Sequence, residues 1–73
     1  MKVKWKKGKT KFFSYVITGT IGEQWIGYIQ NRSDGFGWMG VGMEFWETSK
    51  TIKEAKKKII ETLHLFIKEV ADE

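Results

Sequence analysis

Hydrophobic and polar positions alternate most clearly between residues 31 and 46, NRSDGFGWMGVGMEFW, where a strand would put Met39, Val41, Met43 and Phe45 on one side. Its other side would carry Phe36, Trp38, Gly40, Gly42, Glu44 and Trp46. Residues 12–21 are rich in β-branched and aromatic side chains and predict a first strand. Residues 24–32 predict a second. Gly22-Glu23 places glycine first in a two-residue loop, as a II′ hairpin requires, and Asp34-Gly35 is a strong I′ signal.

Two-residue loops at both places fix a register. One face then groups Ile17, Gly19 and Ile21 with Ile26, Tyr28, Met39, Val41, Met43 and Phe45, and is expected to be the core. The opposite face groups Trp25, Gly27, Ile29, Phe36, Trp38, Gly40 and Gly42, a glycine floor between aromatic walls.

The period changes after residue 50. Ile52, Ala55, Ile59, Leu63, Phe66 or Ile67, and Val70 fall on one stripe of a helix over residues 51–71. Thr51-Ile52-Lys53-Glu54 has the form of a capping box, which fixes the helix start. Residues 47–50 read as a linker. Together these elements predict an α+β domain over residues 12–73: a three-stranded antiparallel meander with one C-terminal amphipathic helix packed on one face. The first residues also alternate, with Val3 and Trp5 against Lys2, Lys4 and Lys6, and Gly8-Lys9 could turn them back as a fourth, lysine-protected edge strand.

Composition changes the picture in two ways. The net charge of +4 hides an asymmetry: residues 1–11 hold six lysines (Lys2, Lys4, Lys6, Lys7, Lys9, Lys11) and no acid, whereas the remainder has seven basic and nine acidic groups, or −2. Such an arm is an electrostatic footprint for phosphate or an acidic surface, or a solvated terminus. A chain of 73 residues buries only about 60 % of its unfolded surface, so a homodimer would add to a small core.

The absence of cysteine excludes disulfides and thiolate zinc sites and suits a cytoplasmic protein. No apolar run approaches the roughly 18 residues of a membrane span. His64 is the only histidine, Ser14, Ser33 and Ser49 have no base at a recognisable spacing, and Gly35-Phe36-Gly37 with Gly40 opens a strand rather than a helix, so it cradles no phosphate. These residues predict neither an enzyme nor a cofactor or metal site.

Function then falls to the Trp/Gly face. Glycines inside strands mark a close approach by another group, and Gly27, Gly40 and Gly42 would lie together there beside Trp25, Phe36 and Trp38. Its occupant could be the chain's own arm through Val3 and Trp5, a second copy, a protein partner anchored on tryptophan, or single-stranded nucleic acid stacking on the rings while the arm's lysines follow the backbone.

Residues 13–67, through Tyr15-Val16-Ile17, the strand Trp25-Ile26-Gly27-Tyr28-Ile29 and the helix positions Thr51, Glu54, Ala55, Ile59 and Glu61, resemble the HicB-like antitoxin domain. The family's loop with Pro-Gly before the helix, its further strand and its C-terminal DNA-binding segment have no counterpart here. The resemblance implies a non-catalytic, dimerising, inhibitor-like module that binds a protein partner, a role equally open to a phage or plasmid inhibitor of a host system. Protein recognition is thus the leading expectation, with single-stranded nucleic acid as the alternative.

Overall fold

A computed structural model describes residues 2–11 and 16–71. Five strands run in chain order across one antiparallel sheet: β1 (Lys4–Gly8), β2 (Val16–Ile21), β3 (Gln24–Arg32), β4 (Gly35–Gly40) and β5 (Glu47–Ser49), followed by α1 (Ile52–Ala71). The expected α+β meander with one C-terminal helix is therefore present, with an edge strand added on each side. β1 is the lysine-studded strand anticipated from the alternation of Val3 and Trp5. β5 corrects the linker reading: three residues are too few to show a period, and they become a strand by pairing with Phe36, Gly37 and Trp38 of β4. The expected first strand's residues 12–15 lie outside the described residues.

Two local features set the register. Gly22, with φ of 60°, makes the expected two-residue turn, pairing Ile21 with Gln24. Two residues later β3 bulges: Thr20 faces Trp25 but Gly19 faces Gly27, leaving Ile26 as the extra residue. Because side chains alternate with period two, this single insertion exchanges the faces of everything beyond it. Ile17 pairs with Ile29 rather than Tyr28, and Tyr28 turns to the other side.

The second hairpin also departs from expectation. Arg32 pairs with Gly35 around Ser33-Asp34, not Ser33 with Phe36 around Asp34-Gly35. A I′ turn at Asp34-Gly35 would need a left-handed aspartate, and no described non-glycine residue has positive φ; Gly35 alone takes it, at 132°. The shift is two residues, so it moves partners without exchanging faces. Ile29 meets Trp38, and Gly27 meets Gly40.

β4 ends sooner than residues 36–46 suggested. Gly42 (φ 80°) turns the chain, Met43 N–H donates to the Gly40 carbonyl at 3.3 Å, and Gly40 N–H donates to Met43 Sδ at 3.2 Å.

α1 begins where the capping pattern placed it: Glu54 N–H donates to Thr51 Oγ1 at 3.1 Å. It packs on the face of Ile17, Ile29 and Trp38, and its buried residues are Ala55, Ile59 and Leu63. This corrects the face assignment. The helix lies on the Trp38–Gly40 side of β4, because the bulge brings Ile17 and Ile29 there and the glycines let the helix approach closely.

Candidate functional site

Four of the six residues of the expected Trp/Gly face are covered or lie beside α1. Gly27 and Gly40 are buried: a Cβ on Gly27 would lie 2.6 Å from Ile59 Cγ2, and one on Gly40 would lie 3.4 Å from Thr62. Trp38 is 7 % exposed in the core. Gly42 is exposed but abuts Phe66, at 3.0 Å from a Cβ built on it. Phe36 packs half-buried against the same core. Trp25 alone of the six sits across the sheet, separated from the rest by the bulge. The close approach that the glycines signalled is real, and the approaching group is the chain's own helix. The arm contributes as well: Trp5 covers Gly19, whose Cβ would lie 2.5 Å from the ring, and Lys56 Nζ lies 5.4 Å above that ring.

The site residues that remain are on the opposite face, which no described helix or strand covers. Register assigns to it Lys4, Lys6 and Gly8 of β1, Val16, Thr18 and Thr20 of β2, Trp25, Tyr28, Gln30 and Arg32 of β3, Gly35, Gly37 and Met39 of β4, and Thr48 of β5. None of these is acidic. Successive rows across the strands read Lys4, Thr20, Trp25 and then Lys6, Thr18, Tyr28, Met39. A lysine therefore stands at the edge of each row, a threonine bridges, and an aromatic ring lies inside.

Two ring systems occupy this face. The Trp25 and Tyr28 rings have centroids 5.0 Å apart at an interplanar angle of 52°. Tyr28 is 39 % exposed, while Trp25 is half-buried and its Nε1 has no hydrogen-bond partner among the described residues. At the far end of β3, Arg32 lies 5.1 Å from the centroid of the Trp46 ring. Its Nε and Nη2 donate to Gln30 Oε1 at 3.2 and 3.0 Å, so the guanidinium is held over Gly37 of the neighbouring strand. Gly37 makes this possible, since a Cβ there would lie 2.5 Å from Arg32 Nε. Arg32 is four residue steps along β3 from Tyr28, which sets the two platforms about 13 Å apart along the strand.

Lys2, Lys4, Lys6, Lys9 and Lys11 are exposed, and Lys4 and Lys6 are the members of the basic arm that β1 aligns with the rings. Lys7 is on the Trp5 side by alternation. Tyr28, Arg32 and Trp46 escaped the sequence reading: Tyr28 because the bulge is invisible in the pattern, Arg32 and Trp46 because their pairing spans a strand and a loop. The described residues contain no group of three potential metal ligands, and His64 is exposed on the helix. No described helix is long and apolar enough to cross a membrane.

A family-model scan, a comparison with characterised proteins and a comparison with solved structures each found no match to this chain.

Proposed function

We propose that this protein is a non-enzymatic binding module for single-stranded nucleic acid, which it engages on the open face of its sheet. The observation that supports this reading is the open face's composition in register: Lys4, Lys6 and Arg32, no acidic strand residue, and the rings of Trp25, Tyr28 and Trp46. Unpaired bases stack on aromatic rings and on guanidinium planes, while cations at the edge neutralise phosphates. The roughly 13 Å between the Tyr28 and Arg32 platforms suits splayed nucleotides rather than a stacked duplex.

Both the protein-partner and the nucleic-acid readings drew on the face of Gly27, Trp38 and Gly40, which α1 covers, so a partner of either kind would have to use the open face, whose cations and rings favour nucleic acid. An acidic protein surface on the open face would share the salt dependence but would not stack a base.

Titrating tryptophan fluorescence with short single-stranded oligonucleotides tests the reading. Quenching at low salt is expected, and it weakens steeply as salt is added. Tyr28→Ala should reduce affinity by about 5- to 150-fold, the equivalent of roughly 1 to 3 kcal/mol of stacking. Absence of quenching at low salt, or equal affinity for Tyr28→Ala, overturns the proposal.

A further inference from the structure

The second half of α1 is a physical anomaly. The helix of 20 residues is about 30 Å long, but its buried side chains end at Leu63. Beyond that point Phe66, Ile67 and Val70 continue the apolar stripe of Ile59 and Leu63, yet are 39 %, 51 % and 57 % exposed. A cleft of roughly 510 Å³ opens between the helix and the β2–β3 hairpin, with Phe66 and Ile67 forming one wall and Ile21, Trp25, Ile26 and Val41 the other. An apolar ridge and an apolar hollow thus adjoin in one patch.

We propose that this patch is where a second copy of the chain docks, each copy laying Ile67 and Val70 in the other's cleft. Two observations select a twin as the occupant. First, ridge and hollow belong to the same surface, so a two-fold axis through it fills both hollows with both ridges and closes the assembly at two copies. Second, the charges match. From residue 61 onward the described helix carries Glu61 and Glu69 against Lys68. At Gly22, next to Ile21 of the apolar cleft, a second hollow of roughly 530 Å³ is lined by Lys2, Val3 and Lys4. A helix crossing the twin's cleft carries Glu69 toward those lysines. The apolar surface involved is on the order of a few hundred Å² per copy, which makes the dimer concentration-dependent rather than obligate. Trp25 lines this cleft as well as the open face, so the patch borders the proposed nucleic-acid site, and self-association is measured without nucleic acid to keep the two readings distinguishable.

Sedimentation of the full chain from micromolar to near-millimolar concentration tests it, beside Ile67→Glu, Val70→Glu and, on the outward side of the helix, Lys57→Glu. The wild type and Lys57→Glu should pass from monomer to dimer. Ile67→Glu and Val70→Glu should stay monomeric with an unchanged helical circular dichroism signal, and Lys2→Glu should weaken the dimer severalfold. A wild type that is monomeric throughout overturns the proposal and assigns the patch to some other occupant. Dimers of wild-type affinity in both Ile67→Glu and Val70→Glu also overturn it, as does open-ended growth beyond two copies.

Discussion

The distances around single residues decide which substitutions this protein tolerates. Gly27 faces Ile59 Cγ2 at 2.6 Å and the Met39 carbonyl oxygen at 2.8 Å from any added Cβ, and the second of these is backbone that cannot rotate away. Gly27→Ala should therefore cost about 1 to 3 kcal/mol by overpacking, whereas Gly8, with nothing within 4 Å, should accept alanine nearly neutrally. Urea denaturation of the two variants checks the contrast. At Thr51 the predicted loss is of another kind. Thr51→Ala removes the acceptor for the Glu54 N–H and should cost about 1 kcal/mol, and Thr51→Ser should restore most of it. Both residues were legible in the sequence, Thr51 as a cap and Gly27 as a point of close approach. The identity of Gly27's neighbour was not, because a glycine records the need for space without recording what fills it.

At the scale of elements, one extra residue in β3 accounts for most of the difference between pattern and structure. The turn at Gly22 was read correctly, and without a bulge Ile17 would have met Tyr28. Ile26 is inserted into the ladder and is 1 % exposed, so its burial offsets the interruption of pairing. A bulge has no compositional signature here, and period-two arithmetic passes through it with the wrong parity. The helix was easier: its stripe and cap placed it almost to the residue, since both depend on local geometry alone. Its two halves should differ in energy. Ile59→Ala removes a fully buried side chain and should cost about 2 to 5 kcal/mol, while Val70→Ala in dilute solution should cost a few tenths. Hydrogen exchange should follow the same division, with amides before Leu63 better protected than those after it.

For the whole molecule, charge is the term that sequence and structure share. The six lysines of residues 1–11 define a basic arm, and β1 gives part of that arm a direction by setting Lys4 and Lys6 beside Thr20 and Thr18 on the open face. With Arg32 these make three phosphate-neutralising groups, for which log affinity against log salt should fall with a slope of about −2. Lys4→Gln with Lys6→Gln should leave a slope below about −1 in magnitude and spare the stability of the fold, since both side chains are exposed. A slope unaffected by that double change would locate the charge contacts elsewhere.

The sequence by itself determined the α+β class, the C-terminal helix and its cap, the turn at Gly22, the lysine edge strand and the presence of a closely approached glycine floor. Each is written in spacing between near neighbours. Only the tertiary structure decided which sheet face the helix covers, and with it whether Trp38 or Tyr28 meets the solvent. That choice passes through the bulge at Ile26, and it rests on which combined face, Ile17 with Ile29 and Trp38 or Thr18 with Tyr28 and Lys6, offers the larger apolar area to the stripe of Ala55, Ile59 and Leu63. The strand from Phe36 keeps its two unlike sides, but the one that looked built for a partner is the core.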